Sequence, residues 1–149
     1  MATVHLPPDF KEFLQLLNSH QVEYLLIGGY AVGYYGYPRA TADMDIWIAI
    51  APENAAKVVT VLQTFGFGVD EVTPDLFLKE EQIIRMGLPP VRIEILTTIS
   101  GVSFAECYAE RQVDVLDGVE VNLISLAHLK VNKKASGRYK DLNDLENLS

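Results

Sequence analysis

Asp43 and Asp45 stand two positions apart at the head of an apolar run, Met44, Ile46, Trp47, Ile48, Ala49 and Ile50. The β-branched and aromatic residues favour a strand over residues 43–50. On a strand, alternate side chains share a face. The two acids therefore point one way, and Met44, Ile46 and Ile48 point the other way, into a core. A chain with such a strand must bury its apolar face against helices or a second sheet. It must also offset two like charges on the opposite face, with a cation or with hydrogen-bond donors.

The rest of the chain supplies partners for that strand. Pro8 and Asp9 open a helical pattern through Phe10, Phe13, Leu14 and Leu17. Residues 23–27 form a short apolar run stopped by Gly28-Gly29, which predicts a buried strand. A short helix is expected over residues 30–35, and a longer one over 52–65 with Pro52 in its first turn and Gly66 as its stop. Strands are expected at 77–78, 82–86 and 91–96. Ser103 and Glu106 match a capping box, predicting a helix over about 103–111. Asp117-Gly118 between residues 112–116 and 119–123 is a hairpin signal. Ser125 caps a helix to about residue 134, and a last helix follows Gly137. The sum is a mixed α/β (α+β) single domain over residues 1–149, with helices packed on one sheet.

Hydrophobic residues make up 49% of the 149, enough to build a core unaided. The single cysteine, Cys107, excludes an intramolecular disulfide and a cysteine-rich zinc site, and fits a reducing cytoplasm. The first residues lack the basic-then-apolar order of a signal peptide. The charge-free stretch over residues 24–38 is too short to span a bilayer. A net charge of −8 argues against a surface that coats nucleic acid. Yet five of the 12 Lys and Arg residues fall within 130–140, a local anion site.

Three features carry chemistry. The Asp43–Asp45 pair on a rigid strand suits Mg²⁺, which takes oxygen ligands and keeps room for phosphates; alone, the same pair reads as two acids on a solvent face. Gly28 and Gly29 sit between a strand and a helix, where a bare backbone can approach phosphate oxygens; alone, they read as a tight turn. Glu94 stands inside an apolar strand with Arg92 on its face. It is either a third metal ligand and proton acceptor or half of a surface ion pair. His5, His20 and His128 lack ligand spacing, Cys107 reads as a structural thiol, and Tyr30, Tyr34, Tyr35 and Tyr37 read as packing residues.

Together these residues resemble the DNA-polymerase-beta-like nucleotidyltransferase superfamily. Its pattern is an apolar residue, Gly, then Gly or Ser, a spacer, Asp-x-Asp or Asp-x-Glu, and a third acid on a later strand. Three stretches narrow the likeness: Gly28 to Val32, Arg39 to Asp45, and Lys133 to Leu145. They look like the small bacterial nucleotidyltransferase-like proteins related to abortive-infection toxins, over nearly the whole chain. The resemblance implies transfer of a nucleoside monophosphate from an NTP to an acceptor hydroxyl in tRNA, a protein or a small molecule. It implies Mg²⁺ or Mn²⁺ on Asp43, Asp45 and Glu94. It implies phosphate and nucleotide contacts from Gly28, Gly29, Arg39, Thr41, Lys133, Arg138, Lys140 and Asp141, with Lys130 and Lys134 as rivals of Lys133. A cognate antitoxin is the implied protein partner, and no membrane is. Two departures stand out. The superfamily's third acid is usually Asp, and no separate substrate-recognition domain is visible. The other reading is a non-catalytic nucleotide- or protein-binding module on the same fold.

Overall fold

The computed structural model describes residues 4–38, 41–68 and 70–148. Six strands form one mixed sheet: β1 (Tyr24–Ile27), β2 (Asp43–Ile48), β3 (Ile83–Met86), β4 (Arg92–Leu96), β5 (Gln112–Leu116) and β6 (Val119–Leu123). Their order is β3-β4-β2-β1-β6-β5. β2 runs antiparallel to β1 and parallel to β4, while β1 and β6 are parallel. Among the described residues, six α-helices accompany them: α1 (Pro8–Ser19), α2 (Gly28–Tyr34), α3 (Pro52–Phe65), α4 (Phe104–Ala109), α5 (Leu126–Ser136) and α6 (Tyr139–Asn147). None of the helices is long and apolar enough to cross a membrane among the described residues.

The apolar periodicity explains the burial. In α1, Phe10, Phe13, Leu14 and Leu17 fall on one stripe and are fully buried. All four residues of β1 are buried, as a central strand covered on both faces requires. In β2, Met44, Ile46 and Ile48 are fully buried, and the two acids are partly buried on the other face. Further along that face Trp47 is buried too, edge-on to Phe104 of α4 at 5.1 Å between ring centroids. Asp117 (φ 49°) and Gly118 (φ 83°) make the two-residue turn that joins β5 to β6.

Three expectations need correction. Residues 77–78 are not a strand. A 3₁₀ turn covers Pro74–Phe77, and Phe77 is apolar because it plugs the core. The capping box at Ser103 is not formed: Ser103 stands at the N-cap of α4 without a side-chain capping bond. Ser125, by contrast, does cap α5 by accepting from the His128 amide. Finally, α2 begins at Gly28 itself rather than at Tyr30. The glycines thus form the first turn of the helix.

Candidate active site

Strand register assembles the site. Asp45 lies beside Ile27 of β1 on one side and Glu94 of β4 on the other, and Glu94 lies beside Arg85 of β3. One row across the sheet therefore reads Arg85, Glu94, Asp45 and then the β1 end, where Gly28 follows. In the adjacent row Asp43 faces Arg92. This face forms the floor of a cleft of about 550 Å³. Gly28, Gly29, Asp43, Asp45, Arg85 and Glu94 line it from the sheet side, and Lys133, Arg138, Lys140 and Asp141 line it from α5 and α6.

Asp43 and Asp45 share a face but not an environment. Arg92 grips Asp43 with two parallel bonds, from Nε to Oδ1 at 2.8 Å and from a terminal nitrogen to Oδ2 at 2.9 Å. Those bonds hold the Asp43 carboxyl below the usual carboxylate range. Asp45 has no such donor. Among the described residues, no hydrogen-bond partner reaches its buried Oδ1. Burial, then the neighbouring Glu94 carboxylate, then Asp43 push its pKa up to about 7, against a smaller pull from Lys140. Glu94 itself receives Arg85 Nε at 3.1 Å. One carboxylate is a fixed anion, and its neighbour on the strand is poised to hold or give a proton near neutrality.

Gly28 completes the pocket around Asp45. Its φ of +68° favours glycine, and a Cβ there would collide with the Asp45 carboxylate. Gly29 has a different neighbour. A Cβ on it would lie 2.8 Å from Thr41 Oγ1 and 2.9 Å from Thr41 Cβ. Thr41 Oγ1 donates to the Asp43 carbonyl at 3.1 Å, so Thr41 braces the start of β2 against α2. It does not line the cleft. Arg39 falls outside the described residues.

The opposite wall is a buried ion cluster. Lys133 Nζ lies 3.2 Å from both Asp141 Oδ1 and Asp144 Oδ2. Arg138 Nε donates to Asp141 Oδ2 at 2.7 Å, as does Ser136 Oγ. Burial alone would raise the Asp141 carboxyl, but the bonds from Arg138 and Ser136, with Lys133, hold it well below the usual range. Lys133 is buried among these acids, whereas its rival Lys134 is exposed. Lys140 is exposed at the cleft and bears electrostatically on both Asp43 and Asp45.

The chemistry of a divalent cation can be weighed on these atoms. Among the described residues, no group of three or more His, Cys, Asp and Glu side chains stands ready to hold a metal ion. Arg92 takes both oxygens of Asp43, and Arg85 takes one of Glu94. The donors that remain are all oxygens and fit a hard cation. Asp45 offers a buried, unpartnered oxygen, with Glu94 beside it.

Solved structures share this architecture. An antigenic nucleotidyltransferase-like protein from Paracoccidioides brasiliensis superposes with a TM-score of 0.56 at 17% identity, over 93% of this chain and 73% of that one. The chain has a nucleotidyltransferase-like fold. At that identity the likeness is one of fold alone. No protein-family model and no curated protein matches the sequence.

Within this nucleotidyltransferase-like fold, sequence reasoning missed three contributors. Arg85 was legible only as a lone cation in the apolar strand β3. Asp144 follows Asp141 by three residues on one helix, a spacing that shares a face. Ser136 ends α5 and turns its hydroxyl back to Asp141. The pairing of Arg92 also differs from expectation. Its two short bonds go to Asp43, and Glu94 lies farther off at 3.6 Å, because the parallel register sets residue 43 beside 92. The tyrosines are packing residues: Tyr30 meets Phe10 edge-on, Tyr34 donates to Asp114 and Tyr35 donates to the Ile124 carbonyl. Cys107 is fully buried, and burial pushes its thiol up to about 11, as a structural thiol requires.

Proposed function

We propose that this chain transfers a nucleoside monophosphate from an NTP to an acceptor hydroxyl, with Mg²⁺ or Mn²⁺ as cofactor. The acceptor oxygen bonds to the α-phosphorus, the bond from that phosphorus to the β-phosphate bridge breaks, and pyrophosphate leaves. The observation that carries the reading is the buried, unpartnered Oδ1 of Asp45, set between Glu94 and the bare backbone of Gly28. A stable domain rarely retains such an oxygen without a partner for it.

Asp45 and Glu94 would hold the cation, and Asp43 would join them when Arg92 turns from it. The bound cation supplies charge neutralisation at the phosphates and lowers the pKa of the attacking hydroxyl. Gly28 and Gly29 let the phosphates approach the backbone. Lys140 and Arg138 meet the charge of the departing pyrophosphate from the α6 side. Lys133 sits deeper and fixes Asp141, which orients Arg138. Glu94 accepts the acceptor's proton. The proposal extends to kinship with the small nucleotidyltransferase-like proteins related to abortive-infection toxins, on the strength of residues 28–32, 39–45 and 133–145.

Incubation with each α-labelled NTP, Mn²⁺ or Mg²⁺, and total RNA or lysate tests the reading. Wild type labels a product, and Asp45→Asn lowers the yield by about a hundredfold or more. A second reading has its own support: Arg92 and Arg85 already neutralise Asp43 and Glu94 without any metal. On that reading the chain binds nucleotide without turnover, and nothing is labelled although NTP binds.

A further inference from the structure

A second cavity of about 710 Å³ opens where β2 and β4 end. It adjoins the cleft, because Thr98 and Ile99 line both. Its floor includes Trp47, two residues beyond Asp45 on the same strand face, or about 7 Å along the strand. Phe104 and Tyr108 of α4 form an aromatic wall, stacked at 5.3 Å. Among the described residues the charged groups of its lining are the two exposed acids Glu23 and Glu80, while the Arg111 guanidinium lies 4.0 Å over the Tyr108 ring of the aromatic wall. The volume suits a small organic molecule.

The charges decide what kind of molecule. Two carboxylates repel a nucleic-acid backbone and the triphosphate itself. The net charge of −8 does the same at longer range. Lys133 and Arg138, the centre of the basic stretch, are engaged by Asp141 and Asp144. An apolar, aromatic cavity edged with acids instead fits a cation with an apolar body. We infer that this cavity is the acceptor site, and that the acceptor is a small hydroxyl-bearing organic amine. Its cationic end meets Glu23 and Glu80, its body packs on the aromatic wall, and its hydroxyl reaches past Thr98 toward Asp45 and Glu94. The inference rests on the nucleotidyl-transfer reading for its chemistry, but its binding step can be measured separately.

Trp47 is the chain's single tryptophan and lines the cavity, so its emission reports occupancy. The probes are 3-[4-(aminomethyl)phenyl]propan-1-ol, whose amine and hydroxyl stand at opposite ends of an aromatic body, and its neutral counterpart 3-(4-methylphenyl)propan-1-ol, titrated without nucleotide or metal. Wild type binds the amine about tenfold or more tightly than the neutral alcohol. The double variant Glu23→Gln, Glu80→Gln loses that preference, and Asp45→Asn keeps it. With α-labelled NTP and Mn²⁺ added, wild type labels the amino alcohol, and the double variant labels it about tenfold less well. Equal binding of both probes, or binding of neither, overturns the inference. So does labelling of RNA or protein that the double variant leaves unchanged, a result that would keep the transfer reading intact. Charge-selective binding with no label on any acceptor would keep the cation site and remove the transfer reading.

Discussion

At the scale of the residue, the contrast between Asp43 and Asp45 comes from what reaches each of them. Arg92 reaches Asp43, whereas Asp45 is buried without such a donor and lies beside the Glu94 carboxylate. The raised Asp45 pKa makes stability depend on pH in a defined direction. A carboxyl whose folded pKa exceeds its unfolded value favours folding fully below the unfolded value, and that contribution is lost as pH rises through the folded one. Metal-free wild type should therefore lose stability between roughly pH 4 and pH 7, by a few kcal/mol at most. Asp45→Asn should flatten that slope and be the more stable protein at pH 7.5. Urea unfolding at several pH values measures it, and parallel profiles for the two proteins would show that Asp45 titrates normally. Mn²⁺ at pH 7.5 should raise the Tm of wild type and leave Asp45→Asn unmoved.

Gly28 provides a second residue-scale test. Its substitution by Ala adds backbone strain at φ +68° and a clash with Asp45. A loss of about 1–3 kcal/mol follows, together with loss of the Mn²⁺ shift. If Gly28→Ala keeps both its stability and its Mn²⁺ response, the close approach of Gly28 to Asp45 is wrong.

At the scale of the element, the α5–α6 pair depends on its buried ion cluster. Asp141 accepts from Arg138, Ser136 and Lys133 at once. Asp141→Asn leaves Lys133 half-paired in the interior, and unfolding at pH 7 should show a loss of about 3 kcal/mol. The folded pKa of Asp141 is depressed, so its contribution is present above the ordinary carboxylate range and fades as pH falls below it. The gap between wild type and Asp141→Asn should narrow in acid. A gap that is small at pH 7, or that widens in acid, would contradict the cluster's role. Elements were legible where a local signal fixed them. β5 and β6 matched their expected bounds because Asp117-Gly118 sets the turn between them. Residues 77–78 misled because two apolar residues carry no period, and burial in a 3₁₀ turn uses the same residue types as a strand. Ser103 and Glu106 had capping-box spacing, but the six-residue α4 starts without the side-chain bond.

At the scale of the whole molecule, sheet register does the work that local pattern cannot. Alternation alone set Asp43 and Asp45 on one face. Nothing local tells residue 43 to lie beside 92, or 94 beside 85. Those pairings depend on the order β3-β4-β2, a long-range choice that no local pattern encodes. This is why Arg92 read as a partner of Glu94 and Arg85 was passed over. The second cavity was hidden for the same reason, since it forms only where α4 lies over Trp47 and the ends of β2 and β4.

In the proposed function, the row formed by Asp45 and Glu94 is the centre of a transfer reaction. The most direct measurement is transfer of label from an α-labelled NTP in the presence of Mn²⁺, by wild type and by Glu94→Gln, with NTP binding measured alongside. Wild type is expected to label an acceptor, and Glu94→Gln to bind NTP nearly as well but label about a hundredfold less. Wild type that binds NTP yet labels nothing, or Glu94→Gln that labels as well as wild type, would contradict it.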